Sequence, residues 1–120
     1  MHAAQAGLYA LVVAGTLVTG PAVAQVASFD CTKARTDTEW AICNTPQLGA
    51  LDIRMAAYYT LLETIAPAGS SFAENLTAGQ GNWIDSTRNP CGGAVACLTN
   101  AYQNRIEALT DLAKSSLTVK

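Results

Sequence analysis

The chain has 120 residues, of which half are hydrophobic and 13% are charged, and its formal net charge is −2. Seven basic residues stand against nine acidic ones, and they are scattered along the chain, which excludes the concentrated positive charge that nucleic-acid binding requires. The single histidine is His2, so the remainder has no imidazole for a catalytic triad or a histidine-containing metal site. We therefore expect no enzyme, no metal and no cofactor.

The N-terminal segment has the layout of a secretory signal peptide. Residues 1–24 contain no Asp, Glu, Lys or Arg, and the apolar run over residues 8–18 is too short to span a bilayer comfortably. A Gly-Pro pair ends the run, and residues 22–24 have the small-x-small pattern of a cleavage site. The pattern favours a signal peptide over a retained membrane anchor. We expect a secreted or periplasmic domain over residues 25–120, with no stable membrane insertion after cleavage.

If the protein is exported, its four cysteines are expected to form disulfides, because disulfides persist outside the cytoplasm. Four cysteines allow three pairings. The sequence favours the local one, Cys31 with Cys43 and Cys91 with Cys97, because each pair is close along the chain and encloses a bend. Reduced, buried cysteines and a zinc site are the alternatives, but the spacings C-x11-C and C-x5-C lack the C-x2-C pairs of zinc ribbons.

The first two predicted helices have clear starting signals. A capping box of Thr36 and Glu39 begins a short helix that carries Cys43 on its last turn. Thr45 and Pro46 then supply an N-cap and a proline at the first position of a second helix. Apolar residues recur along this second helix at steps of three and four, which predicts a single face directed at the core. That face consists of Leu48, Leu51, Met55, Tyr58, Leu62 and Ile65.

A second capping box, Ser71 with Glu74, begins the predicted third helix. Its buried side consists of Phe72, Leu76 and Trp83. Gly79 and Gly81 weaken the middle of this helix by about 2 kcal/mol relative to alanine. Tertiary packing must therefore hold that part, or the helix frays or bends there.

A corner separates the third helix from the fourth. The Asn-Pro pair before Cys91 ends the third helix, and the Gly-Gly pair after it lets the backbone reverse through positive φ. Six residues of continuous helix would separate Cys91 from Cys97 by about 9 Å, so we expect Cys91 in the corner and Cys97 on the next helix. The fourth helix is predicted over residues 94–113, and residues 114–120 read as a fraying tail. Its apolar face consists of Val95, Leu98, Tyr102, Ile106, Leu109 and Leu112.

These elements predict an all-α fold, a small bundle of about four helices held by two local disulfides. No strand pattern longer than a few residues follows the N-terminal segment, and the sequence contains no internal repeat. The predicted structural core comprises Leu51, Met55, Tyr58, Trp83 and Tyr102.

Several spaced motifs together suggest a family. They are Phe29-Asp30-Cys31-x-Lys33-Ala34, Glu39-x-Ala41-Ile42-Cys43-x-x-Pro46, Gln80-x-x-Trp83-Ile84-x-x-x-Arg88-x-x-Cys91-Gly92 and Cys97-Leu98-x-x-x-Tyr102-x-x-Arg105-Ile106. In order and spacing they resemble the LprI-type lysozyme inhibitor family over nearly all of residues 25–120. The resemblance implies a small exported helical domain with disulfides that inhibits lysozyme. Trp40 departs from the pattern, because a polar or basic residue is expected there.

The implied partner restricts which residues could bind it. A lysozyme cleft is lined with carboxylates, which an arginine or lysine on a rigid corner suits. The candidate partner-binding residues, which lie on or beside the predicted disulfide corners, are Lys33, Arg35, Trp40 and Arg88. For Arg88 and Arg105 we favour pairing with an interior carboxylate such as Asp52 or Glu39, and for the other two basic residues the alternative is simple solvation. The alternative function is a structural or accessory envelope protein that binds no lysozyme.

Overall fold

The computed structural model describes residue 15 and residues 25–118, so the predicted signal peptide lies outside the described residues apart from Gly15. The described residues form four α-helices and no strand, which confirms the predicted all-α fold. The helices are α1 (Asp37–Asn44), α2 (Pro46–Ile65), α3 (Ser71–Trp83) and α4 (Val95–Leu117). None of the helices in this part of the chain combines the length and the apolar character needed to cross a membrane.

The starts of α1 and α2 follow the sequence signals. In the capping box of α1, the Thr36 hydroxyl accepts the amide of Glu39 at 3.1 Å, and the Glu39 carboxylate accepts the amide of Thr36 at 3.2 Å. Thr45 is the N-cap residue of α2 and Pro46 its first helical residue, but the Thr45 side chain makes no capping hydrogen bond. The fixed φ of the proline therefore marks the start of α2 without help from a side-chain cap.

The predicted capping box of α3 was wrong by one residue. The N-cap is Ser70, whose hydroxyl accepts the amide of Ala73 at 3.2 Å, and Ser71 is already helical. Two adjacent serines are equivalent caps by residue type. The preceding turn decides between them, because the amide of Ser70 donates to the carbonyl of Pro67 and leaves Ser70 extended, as an N-cap must be.

The glycine-rich middle of α3 does not fray. The α-helix runs through Gly79 and Gly81 and then widens into a π-helical turn over Ile84–Arg88. At the junction, the amide of Ile84 donates to the carbonyls of both Gln80 and Gly81. Of the expected outcomes, tertiary packing is the one observed, since Trp83 is buried against Tyr102, and the helix changes its hydrogen-bond spacing only after the glycines.

The predicted tail after residue 113 is helical as far as Leu117, so that part of the prediction was wrong. No glycine or proline interrupts residues 114–117. The hydroxyls of Ser115 and Ser116 donate back to the carbonyls of Leu112 and Ala113 at 3.0 Å each. Lys114 also lies in the last turns of α4, where a positive charge is favoured by the helix dipole.

The core lies mainly between α2 and α4, which form the most extensive helix pair. Trp83 packs edge-on against Tyr102 with ring centroids 5.2 Å apart, and its indole N–H donates to the carbonyl of Ala101 at 3.3 Å. This contact attaches the end of α3 to the second turn of α4. Among the predicted core residues, Met55, Trp83 and Tyr102 are buried. The remaining two, Leu51 and Tyr58, are partly buried against the same cluster.

The segment that precedes the first cysteine lies across α2. Ala27 is fully buried. The carbonyl oxygen of Val26 lies directly over Gly49, so close that a Cβ at this glycine would overlap it. The amide of Ser28 donates to the carboxylate of Asp52 at 2.6 Å. Residues 25–30 are therefore part of the packed domain, and Gly49 is needed for their close approach.

Asp52 is a buried carboxylate, with 1% of its surface exposed. Besides Ser28, it accepts the hydroxyl of Tyr102 at 2.8 Å. Within residues 25–118, no basic nitrogen lies within 4.0 Å of it, so neutral hydrogen-bond donors stabilise it at close range. Burial raises the pKa of the Tyr102 phenol well above its usual value, and the negative charge of Asp52 raises it further, while Arg88 acts in the opposite direction. Tyr102 therefore remains a protonated donor to Asp52 at neutral pH.

Replacing Gly49 with alanine should lower the free energy of unfolding by about 1–3 kcal/mol, because the added methyl overlaps the Val26 carbonyl. The matched control is Gly81→Ala. Nothing lies within 4 Å of a Cβ there, so alanine should stabilise the helix by about 0.5–1 kcal/mol. Urea denaturation of both variants measures the two values. Equal changes in the free energy of unfolding for the two variants would contradict the close approach of Val26 to Gly49.

Alkaline pH should destabilise the protein through Tyr102. Its folded pKa is raised, whereas an unfolded tyrosine loses its proton near pH 10. The stabilisation from the Tyr102–Asp52 hydrogen bond is therefore complete below pH 10, and it declines by about 1.4 kcal/mol per pH unit above that value. Tyr102→Phe should be about 1–3 kcal/mol less stable at pH 8, because Asp52 loses a donor.

The measurement is urea unfolding of both proteins from pH 8 to 12. The stability curves of the wild type and Tyr102→Phe should converge above pH 10. Parallel curves over the whole range would rule out a raised pKa for this phenol.

Candidate functional site

The first disulfide forms one corner of the domain, which we call the first corner (residues 30–43). Cys31 lies in a 3₁₀ turn, Cys31–Lys33, and Cys43 lies in the last turn of α1. Their Cα atoms are 5.9 Å apart, inside the range a disulfide bridges, and the bond is formed. The carboxylate of Asp30 accepts the amide of Thr32 at 2.9 Å and so caps the 3₁₀ turn. The predicted pairing of Cys31 with Cys43 is confirmed.

The second disulfide closes the second corner (residues 84–97). The π-helical turn after α3 leads into a 3₁₀ turn, Asn89–Cys91, and Gly92 then reverses the backbone with φ of +56°. Cys97 faces back from the first turn of α4, and the Cα atoms of Cys91 and Cys97 are 5.5 Å apart. This confirms both the pairing and the placement of Cys91 in the corner. Of the two adjacent glycines, only Gly92 adopts positive φ.

The two corners lie against each other, which the sequence did not indicate. Thr38 on α1 is only 3% exposed, and its hydroxyl donates to the carbonyl of Gly92 at 2.8 Å. The carbonyl of Asn89 lies 3.5 Å from the same hydroxyl. Gly93 approaches Asp37, since a Cβ on this glycine would lie 3.6 Å from the Asp37 carbonyl oxygen. Two segments more than 50 residues apart thus form one end of the domain.

The predicted partner-binding residues lie at this end of the domain. Lys33 and Arg35 are exposed on the first corner. Trp40, on α1, is also exposed, with half of its surface accessible, which is unusual for so large an apolar side chain. Arg88 on the second corner is partly buried, and its Nε donates to the side-chain oxygen of Asn89 at 3.1 Å. The structure thus places three of the four on the surface of the first corner and the fourth on the second corner.

Glu39 links the two corners electrostatically. Its carboxylate accepts the amide of Arg35 at 2.7 Å as well as that of Thr36. These backbone hydrogen bonds lower the pKa of Glu39, the Arg35 amide contributing most, and the positive charge of Arg88 lowers it further. The backbone around Arg35 is therefore held by an ionised carboxylate, while the Arg35 side chain extends into solvent.

The prediction that Arg88 and Arg105 pair with an interior carboxylate was wrong. Within residues 25–118, the ion pair closer than 4.0 Å is Lys114 with Asp111, on the exposed surface of α4. Asp52 and Glu39 are satisfied by other donors, as described above. Arg105 donates from Nε to the side-chain oxygen of Gln80 at 3.0 Å. Both arginines bond to neutral amide oxygens, and Arg88 also interacts with the Tyr102 hydroxyl.

The sequence predicted Asp52 as an interior carboxylate but with the wrong partners, and it gave no indication of the contact made by Thr38. Asp52 lies at the spacing of the apolar face of α2, four residues after Leu48 and three before Met55. A carboxylate at a core position is a signal for a buried hydrogen bond, which neutral donors can supply as well as an arginine. Thr38 lies between the two residues of the capping box, Thr36 and Glu39, whose roles are local. Nothing in the sequence around Thr38 indicates that its own hydroxyl bonds to a distant segment.

Comparison of the chain with protein-family models, with curated proteins and with solved structures finds no match. The resemblance to the LprI-type inhibitors therefore rests on the motifs in the sequence and bears on function as a proposal.

The contact between the corners can be tested at Thr38. Thr38→Val keeps the shape of the side chain but removes the donor to Gly92, and it should lower the free energy of unfolding by about 1–3 kcal/mol. Thr99→Val is the matched control, because the Thr99 hydroxyl bonds only to the Val95 carbonyl of its own helix. That change should stay within about 0.5 kcal/mol. Similar losses in both variants by urea denaturation would show that the corners are not joined through Thr38.

Proposed function

We propose that this protein is an exported binding protein that docks on a lysozyme and blocks its substrate cleft. The observation that carries the proposal is the joined pair of disulfide corners, which presents a half-exposed tryptophan, Trp40, on the same corner as two exposed basic residues, Lys33 and Arg35. The resemblance to the LprI-type inhibitors supports the choice of partner. The two disulfides are compatible with a location outside the cytoplasm.

A rigid surface is what such an inhibitor needs. Binding costs free energy when side chains and loops must be ordered, so a contact surface that is already fixed binds more tightly. Here the Cys31–Cys43 disulfide, the capping box of α1 and the Thr38 contact all restrain the backbone that carries Arg35 and Trp40. The first corner is therefore ordered before any partner arrives.

The residue types suit a muramidase cleft. Glycosidases of this kind hold a pair of carboxylates at the scissile bond. A guanidinium bonds a carboxylate through two parallel N–H groups. The exposed side chain of Arg35 would therefore suit a position against the carboxylates of the cleft. Tryptophan and arginine are also the residue types that most often dominate the binding energy of protein interfaces. Trp40 would then supply apolar contact area next to the charged contact.

Long-range electrostatics would add a smaller contribution to the association with lysozyme. The chain carries a formal net charge of −2, and lysozymes of the host type are basic, so the approach of the two proteins is favoured. Lys33 and Arg35 are two exposed positive charges on a first corner that also carries Asp30, Asp37 and Glu39. The overall charge would promote encounter, whereas the first corner would provide the specific contact.

The test is lysis of bacterial cell walls, followed by turbidity, with a panel of lysozymes and the oxidised protein at micromolar concentration. We expect inhibition of at least one lysozyme. Arg35→Ala and Trp40→Ala should each raise the inhibition constant tenfold or more, corresponding to about 1.4 kcal/mol or more. The matched controls are Lys114→Ala and Leu61→Ala, which change an exposed basic and an exposed apolar residue elsewhere and should leave inhibition unchanged.

Absence of inhibition across the panel would overturn the proposal and would favour a structural or accessory envelope role. Inhibition that all four variants weaken equally would show that the first corner is not the contact surface.

A further inference from the structure

A cavity of about 240 Å³ lies between α3 and α4, away from the two corners. Arg105, which lies on its wall, is eight residues beyond Cys97 on α4, or about 12 Å along the helix axis. The cavity is lined by Phe72, Asn75, Leu76, Gly79, Arg105 and Leu112. Its walls are mostly apolar and carry one positive charge.

The guanidinium of Arg105 is held in place by a chain of side-chain hydrogen bonds. Arg105 donates from Nε to the Gln80 side-chain oxygen at 3.0 Å. The amide nitrogen of Gln80 in turn donates to the sulfur of Met55 at 3.1 Å, which anchors Gln80 to the core. The arginine is therefore fixed by two helices other than its own.

The free end of this guanidinium faces Gly79. A Cβ built on Gly79 would lie 3.8 Å from Nη2 and 4.0 Å from Nη1 of Arg105. Because Gly79 has no side chain, the Nη groups remain open to the cavity. A larger side chain at residue 79 would project into the space beside them.

Arg105 lacks an anionic partner among the described residues. No carboxylate in residues 25–118 lies within 4.0 Å of it, and of its N–H groups only Nε–H is used by a described acceptor. Burial lowers the pKa of Arg105, which indicates that the charged guanidinium is partly desolvated here. An anion that bonds to the Nη groups would compensate that desolvation.

We propose that this cavity binds a medium-chain fatty acid, with the carboxylate on the Nη groups of Arg105 and the alkyl chain against Phe72, Leu76 and Leu112. The planar fork of a guanidinium matches the two oxygens of a carboxylate. At roughly 30 Å³ per water-sized group, the cavity holds about eight such groups, which suits the head and the first methylenes of the chain. This site is independent of the proposed contact with lysozyme.

The first experiment is a titration of the ¹⁵N-labelled, oxidised protein with decanoate below its micelle concentration. Chemical-shift changes should saturate and should centre on the residues that line the cavity. Decanol, which has the same chain without the charge, should bind at least tenfold more weakly, and decyltrimethylammonium should not bind. Equal affinity for decanol and decanoate, or shift changes centred elsewhere, would overturn the proposal.

Variants at two glycines of α3 test the location of the site. Gly79→Leu should fill the cavity and weaken decanoate binding tenfold or more. Gly81→Leu is the matched control, since nothing lies within 4 Å of a Cβ at that glycine, and it should bind as the wild type does. Both changes replace a helical glycine with a good helix former, so both proteins should fold. Unchanged decanoate affinity in Gly79→Leu would refute the assignment.

The role of the charge is tested with Arg105→Gln. This variant should lose at least tenfold in affinity for decanoate and should retain the wild-type affinity for decanol, because only the head-group contact is removed. Its circular dichroism and melting temperature show whether the fold is kept. A folded Arg105→Gln protein that binds decanoate as tightly as the wild type would exclude the guanidinium as the head-group site.

Discussion

Two short disulfides are the constraint on which this small domain depends. Each closes a loop near one end of a helix, and each contributes about 2–3 kcal/mol by restricting the unfolded chain. Single domains of this size are stable by only about 5–15 kcal/mol, so the two bridges supply a large part of the total. They also fix the backbone at the places where the exposed tryptophan and the basic residues lie. Stability and a rigid surface thus have the same covalent origin.

Hydrogen bonds between distant segments complete what the disulfides begin. The hydroxyl of Thr38 joins the two corners, and the carboxylate of Asp52 joins residues 25–30 to α4 through its bonds to the Ser28 amide and the Tyr102 hydroxyl. All three side chains are nearly or fully buried, so their polar groups must be paired in the folded state. Such bonds specify one arrangement of the helices, because a shifted packing would leave a buried polar group without its partner.

The molecule carries two surfaces of different character. The joined corners present exposed groups on a stiff backbone, which suits a protein partner. The cavity between α3 and α4 is concave and mostly apolar, with a single oriented cation at Arg105, which suits a small amphiphile. The two do not share a residue. Both surfaces include part of α4, because Cys97 of the second corner and Arg105 of the cavity lie on this helix. The two residues are about two turns apart.

The sequence alone determined the helical fold, the four helices, the pairing of the cysteines and most of the core, because capping boxes, Pro46, Gly92 and apolar spacing act within a few residues of the chain. It was less accurate where local signals are equivalent, as at Ser70 and Ser71, or absent, as after residue 113. Only the tertiary structure decided that Thr38 joins the corners and that the Val26 backbone packs directly on Gly49. It also decided that Arg105 bonds to Gln80 and not to a carboxylate. These contacts connect residues 23 to 54 positions apart, and nothing local in the chain encodes which distant group will satisfy a given donor once the helices have packed.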